Sequence, residues 1–221
     1  MQHILVAGAS RRVGFETVRL LRSEGYDVTC FFRSEAGRGP VEATGAKAFV
    51  ADAFDATQVD AAFDAAGPIE AVVCALGGKP GDEPRIDFPG ARNCIDAAKK
   101  RGIGRFLLVT AIGCGDTWDA LDGKAKSFLG PAIEAKNRAE RYLFESELDY
   151  TVLRPGGLSD DAATGRCFLT HDVGVIGAIT RADVAAQLVR CLGSPKASRE
   201  VFQVLDRDRL RSDTPYTEVA V

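Results

Sequence analysis

The sequence predicts an α/β fold, a single domain with helices on both faces of a doubly wound parallel sheet. Short β-rich runs alternate with helix-period segments, the pattern of successive βαβ units. The runs Ile4–Ala7, Ala71–Ala75 and Phe106–Val109 are apolar without alternation, as strands are when helices cover both faces of the sheet. A glycine turn joins the first run to the first helix.

In chain order the strands are expected at His3–Ala7, Asp27–Phe32, Ala46–Ala51, Ala71–Ala75, Arg105–Thr110 and Tyr150–Arg154. Helix-period segments lie between them at Val13–Glu24, Ala56–Ala66, Gly90–Arg101, Glu134–Glu147 and Arg181–Leu192, the last opened by Thr180 as an N-cap. The first strand, turn and helix fit within about 25 residues, and a right-handed crossover makes the two flanking strands neighbours. The breaker-rich stretches Gly77–Pro89 and Gly113–Pro131 are expected to be long loops. Both follow strand C-termini, where open α/β sheets bind their ligands. Residues 1–206 are read as the nucleotide-binding domain, with 157–180 contributing a small C-terminal substrate lobe. The polar tail 207–221 is an edge segment or a frayed end.

The 221 residues fit one domain at roughly 150 residues per domain, enough to bury a core without a metal or disulfide staple. A composition of 46% hydrophobic and 27% charged residues argues against a disordered or fibrous chain. The net charge of −3 leaves no electrostatic footprint for a nucleic-acid backbone. No apolar run approaches the roughly 20 residues of a membrane span, and the N-terminus lacks the pattern of a signal peptide. Six cysteines, at 30, 74, 94, 114, 167 and 191, form no CxxC pair. They read as buried thiols in a reducing compartment, with no metal site. The expectation is a cytoplasmic protein, or the mature form of an organellar one, that acts on a small molecule as a monomer or homodimer.

The most informative segment is Gly8-Ala9-Ser10-Arg11-Arg12-Val13-Gly14. Gly8 permits a tight turn and Gly14 a close helix–strand approach, while the helix N-terminus offers unpaired N–H groups to a pyrophosphate. This strand–turn–helix context is the one a Rossmann-type dinucleotide fingerprint requires. About 20 residues on, an acid would accept the ribose 2′-OH of NAD and an arginine would accommodate a 2′-phosphate. The second strand runs out into Arg33-Ser34 without an acid. Arg33 and Arg12 together predict NADP(H).

On these residues the chain resembles the atypical, NmrA-like branch of the short-chain dehydrogenase/reductase superfamily, whose turn reads Gly-Ala-Ser/Thr-Gly-x-x-Gly. Its layout is similar to that of small NADPH-dependent flavin and biliverdin reductases. Arg11 stands where the family has its middle glycine, and so either points outward or closes over the phosphates. The resemblance implies cofactor contacts from Asp52 and Ala53 near the adenine, and from Ala75, Leu76 and Gly77 at the end of the fourth strand. It also implies contacts from Pro155, Gly156 and Gly157 near the nicotinamide carboxamide.

Tyrosine-dependent members use a serine or threonine after the fifth strand and a Tyr-x-x-x-Lys helix. Here Lys136 is present in Ala135-Lys136-Asn137-Arg138-Ala139-Glu140, but Ala132 occupies the tyrosine position and Ala111 the serine position. Thr110 is adjacent, and with Lys136 it completes the candidate catalytic set. This double loss disfavours carbonyl reduction through the usual proton relay. It suits hydride transfer to a planar or conjugated acceptor of flavin, quinone or tetrapyrrole type that takes its proton from solvent. The alternative is a non-catalytic NADP(H)-binding sensor. His171, Asp116 and Trp118 are weaker candidates for the substrate wall, and Cys114 has no histidine near it in sequence.

Overall fold

The structure, a computed structural model, describes residues 2–79 and 81–221. Strand β1 (His3–Ala7) leads through the glycine turn to α1 (Arg12–Ser23) and β2 (Asp27–Phe32). A short α2 (Arg38–Glu42) precedes β3 (Lys47–Val50), followed by α3 (Ala56–Ala66), β4 (Ala71–Cys74), α4 (Pro89–Lys100) and β5 (Arg105–Val109). Then come α5 (Gly123–Phe144), β6 (Asp149–Pro155), β7 (Gly157–Ser159), β8 (Cys167–Thr170), β9 (Ala178–Thr180), α6 (Arg181–Leu192) and β10 (Glu200–Asp206).

Eight strands form one sheet in the order β3-β2-β1-β4-β5-β6-β10-β8, all parallel except β8. The order reverses between β1 and β4, which opens a crevice at their C-terminal ends. Successive residues of β1 serve opposite faces. Ile4 and Val6 join a core with Val18 and Leu21 of α1 and Val184 and Leu188 of α6. Leu5 and Ala7 join Val59 and Phe63 of α3, Ile95 of α4 and Leu143 of α5. Burial on both faces is why β1, β4 and β5 read as unbroken apolar runs. No helix among the described residues is long and apolar enough to cross a membrane.

Three features differ from the sequence-based expectation. Helix α5 starts at Gly123, with Asp122 as its cap, so nearly half of the expected Gly113–Pro131 loop is helix. Pro131 lies inside that helix. It removes one backbone donor, and the exposed residues around it let the helix continue. Strands β8 and β10 were not foreseen. They extend the sheet beyond β6 through pairings such as Phe202 with Leu153 and Val204 with Leu169. The C-terminal segment is held at this edge: the Val219 N–H donates to the Leu169 carbonyl at 2.8 Å, Arg207 pairs with Glu218, and Tyr216 stacks on Phe168.

The segment after β6 makes a separate two-stranded sheet of β7 and β9. Nearby, a small apolar cluster gathers Ile112, Phe168, Val175 and Leu205. A Cβ on Gly156 would sit 2.5 Å from the Gly177 carbonyl oxygen, so only glycine lets the two segments meet.

Candidate active site

The glycine turn is clamped between its neighbouring strands. Gly8 has φ +84°, and its N–H donates to the Phe31 carbonyl of β2 at 3.0 Å. A Cβ at Gly8 would stand 3.0 Å from the Ala75 carbonyl oxygen, just beyond β4. At Gly14 a Cβ would lie 2.4 Å from the Gly8 carbonyl oxygen, so α1 packs against the turn as closely as backbone allows. Val13 anchors this first turn in the core, and Ser10 packs against Gly37 in the stretch after β2.

Helices α3, α5 and α6 open on Asp55, Asp122 and Thr180, each accepting hydrogen bonds from first-turn N–H groups. Helix α1 opens on Arg11, which provides no side-chain cap, and its first turn holds no acid. Among the described residues the N–H groups of Arg12, Val13 and Gly14 have no hydrogen-bond partner, at the positive end of the helix dipole. Arg11 has φ −167°, an extended conformation open to any residue, so the missing middle glycine imposes no backbone penalty there. Arg12 carries the unusual conformation instead, at φ +57°.

Arg11, Arg12, Arg33 and Ser34 are all exposed. None of the three arginines is paired with a carboxylate among the described residues, whereas nearby Arg19 and Arg38 are neutralised by Glu16, Glu35 and Glu42. Two of these guanidinium groups on the glycine turn and a third after β2, beside an uncapped helix N-terminus, suit the anionic pyrophosphate of a nicotinamide dinucleotide.

The other predicted contacts line the same sheet edge. Asp52 follows β3, and its carboxylate accepts the Phe54 N–H at 3.0 Å. Ala53 is buried, with its carbonyl held by Asn93 of α4 at 2.9 Å. The Ala75 N–H donates to the Ala7 carbonyl at 3.0 Å. Beyond it, Leu76 is half-buried and Gly77 exposed. At the end of β6, the Pro155 carbonyl accepts from the Ile112 N–H at 3.0 Å, and Gly157 donates to Gly177 at 2.9 Å.

Lys136 reaches this edge from α5. Its Nζ is 3.2 Å from Oδ1 of Asp87 and would be 3.8 Å from a Cβ at Gly77. Asp87 is buried, yet its carboxyl is held below the usual carboxylate range. Burial pushes it up, but the Lys136 charge, the Gly78 N–H and the Arg85 guanidinium outweigh that effect.

Thr110 follows β5 and is buried. Its hydroxyl donates to Oε1 of Glu140 at 2.7 Å. Glu140, itself buried, also accepts from Arg154 at 3.1 and 2.7 Å, and Arg154 extends a third nitrogen to Asp116 at 2.5 Å. The Gly115 N–H donates to Asn137 Oδ1 at 2.6 Å. The loop after β5 is thus bound to the Lys136 stretch of α5, and the Thr110 hydroxyl is engaged beneath the site.

Ala111 and Ala132 bring no hydroxyl, and the four tyrosines are placed elsewhere. Tyr26 packs on the first core, Tyr142 donates to Asp96, Tyr150 meets Phe144 and Tyr216 meets Phe168. His171 follows β8 and contacts the Val201 carbonyl and Glu200 at the start of β10. That is the sheet edge opposite the crevice, because β8 runs antiparallel. Trp118 meets Lys126 in the loop before α5. The Cys114 thiol is buried and pushed up to about 12 by burial and the Glu140 charge, the opposite of an activated thiolate.

Asp87, Glu140 and Asn137 were not among the residues singled out for the site. Arg154 carried a signal, since an arginine inside an apolar strand needs a buried carboxylate. Nothing local marked Asp87.

This fold and site define an NAD(P)-dependent oxidoreductase of the atypical short-chain dehydrogenase/reductase type. The profile described as NAD(P)H-binding matches residues 8–195, and the chain belongs to that family. Among solved structures it is similar to ChuY, an anaerobillin reductase of Escherichia coli O157:H7, at 36% identity and TM-score 0.85 over 94% of this chain and 98% of that one. It is 29% identical to an uncharacterised sugar epimerase, YhfK, of Bacillus subtilis over 97% of both chains. It is also 33% identical to the sanguinarine reductase of Eschscholzia californica over 54% of this chain and 45% of that protein.

Proposed function

We propose that the protein is an NADPH-dependent reductase of a small planar conjugated acceptor, of flavin, quinone or tetrapyrrole type, working without a side-chain proton relay. The observation that carries this reading is a site that keeps Lys136 but has alanine at positions 111 and 132, with the Thr110 hydroxyl donated to Glu140. The similarity to a reductase named for anaerobillin supports the same acceptor class.

The α1 N-terminus and the Gly8–Gly14 turn would hold the pyrophosphate, with Arg11 beside it. Arg12, Arg33 and Ser34 would take the 2′-phosphate. Asp52, Ala53, Ala75, Leu76 and Gly77 would line the adenosine and its approach, Lys136 would bind the nicotinamide ribose, and Pro155, Gly156 and Gly157 the carboxamide. When bound, the cofactor supplies the hydride. The chain's task is orientation and exclusion of water, worth several orders of magnitude in rate when the partners are pre-aligned. The loops after β4 and β5 and the β7–β9 lobe would bound the acceptor, and a conjugated product takes its proton from solvent. We place this reaction in a reducing compartment, in keeping with six free cysteines.

The test is NADPH oxidation with a panel of flavins, quinones and linear tetrapyrroles, measured against the rate without protein. Tight NADPH binding with no oxidation by any acceptor overturns the reading in favour of a non-catalytic NADP(H)-binding regulator. Arg33→Ala is expected to raise the NADPH Kd about tenfold, the scale of one charge-assisted hydrogen bond, and to leave the NADH Kd unchanged.

A further inference from the structure

We propose that Asp87 is a positioning residue of the nicotinamide half-site, a buried carboxylate that fixes the Lys136 ammonium in its ribose-binding position. The inference rests on the assignment of Lys136 to the ribose. Asp87 lies in a loop whose neighbours at 79 and 81–84 are exposed, yet its side chain is only 1% exposed. A carboxylate withdrawn this far from water is costly unless its charge is met. It is met from three directions. Oδ2 accepts the Gly78 N–H at 3.1 Å and faces Arg85 at 3.0 Å, and Lys136 stands 3.2 Å from Oδ1.

The two oxygens are treated differently. Oδ2 accepts the Gly78 N–H as a hydrogen bond and meets Arg85 as an ion pair, whereas Oδ1 has no aligned hydrogen bond and meets Lys136 as an ion pair. An ammonium has three N–H donors, and a single carboxylate oxygen at 3.2 Å leaves at least two of them for a ligand. The Lys136 side chain remains 17% exposed, and a Cβ at neighbouring Gly77 would stand 3.7 Å from Oδ1 and 3.8 Å from Nζ. A free lysine samples many rotamers, and a fixed opposite charge at this distance selects one of them before the ligand arrives. Arg85 is anchored separately to the Lys79 carbonyl at 3.2 Å. It keeps Asp87 in place, so the lysine is the member of the cluster left to face a ligand.

The test compares NADPH with adenosine 2′,5′-bisphosphate, which lacks the nicotinamide ribose, by direct binding titration to wild type, Asp87→Asn, Lys136→Met and the double variant. Asp87→Asn is expected to weaken NADPH about tenfold and to leave the bisphosphate within about twofold of wild type. In the Lys136→Met background, Asp87→Asn should add less than a further twofold, because the residue it positions is gone. An equal NADPH loss in both backgrounds, or a parallel loss of the bisphosphate, overturns the proposal and makes Asp87 a general anchor of the loop. Should Asp87→Asn fail to fold, Asp87→Glu carries the same comparison: it keeps the charge, should retain NADPH within about threefold, and overturns the proposal if NADPH falls tenfold. NADPH binding unchanged by Lys136→Met refutes the ribose assignment itself, a result distinct from a Lys136→Met loss that Asp87→Asn does not share.

Discussion

Gly14→Ala tests whether the closeness of α1 to the turn is what builds the phosphate site. The new Cβ would meet the Gly8 carbonyl oxygen at 2.4 Å, the Gly8 carbonyl carbon at 2.9 Å and Ala9 Cα at 3.1 Å. All three are backbone atoms, so no side chain can rotate away. Restoring an ordinary contact requires the helix to withdraw by roughly 1 Å, and overpacking of this kind costs about 1–3 kcal/mol. Alanine's better helix propensity returns up to about 1 kcal/mol. At the middle of both ranges the net loss is about 1.5 kcal/mol, which corresponds to a Tm fall of about 3–6 °C for a domain of this size. The same withdrawal carries the open N–H groups of α1 away from the pyrophosphate, and NADPH affinity should fall at least about tenfold. Thermal unfolding and NADPH titration read the two effects. Gly39→Ala in α2, where a Cβ meets nothing within 4 Å, is the control and should be neutral or slightly stabilising. A Gly14→Ala protein with Tm within about 1 °C of wild type and NADPH Kd within about twofold would refute the argument.

Glu140→Ala leaves the buried Arg154 guanidinium with only Asp116 and should cost about 3–5 kcal/mol in thermal or denaturant unfolding. The Glu140→Leu/Arg154→Met pair should recover most of that loss, and equal losses in the single and double variants would contradict the buried-charge account. Because Arg12 holds φ +57°, Arg12→Gly should be about 1 kcal/mol more stable than Arg12→Ala. Both should lower the preference for NADPH over NADH; a stability difference of the opposite sign refutes the strain. Burial pushes the Asp183 carboxyl up, but the Thr164 and Gly165 N–H groups and the Thr180 hydroxyl bring it below its ordinary value. A depressed folded-state pKa stabilises above the unfolded value of about 3.9 and is lost as pH falls through the folded one. The Tm gap between wild type and Asp183→Asn should therefore hold from about pH 7 to 5 and close below about pH 4, and a gap that widens in acid would reverse the sign.

What could be read before folding was whatever a few consecutive residues impose on one another. Gly8 and Gly14 mark backbone positions that no other residue fills, and they announced the turn by themselves. Arg33 directly after β2, and the alanines at 111 and 132, could be located before folding because each is placed by its distance along a strand or helix. The sequence was misleading at Pro131, where a residue that usually ends helices sits on an exposed face and the helix continues. It was silent on β8 and β10, whose partners lie far away in the chain.

By itself, then, the sequence determined the βαβ grammar and the glycine turn, because periodicity and backbone sterics act over a handful of residues. Only the tertiary structure decided that Asp87 meets Lys136, that Glu140 gathers Thr110 and Arg154, and that His171 falls on the far edge of the sheet. A buried charge is satisfied by whichever opposite charge the packed elements bring within about 4 Å. That distance belongs to the assembled sheet and helices, and no local pattern encodes it.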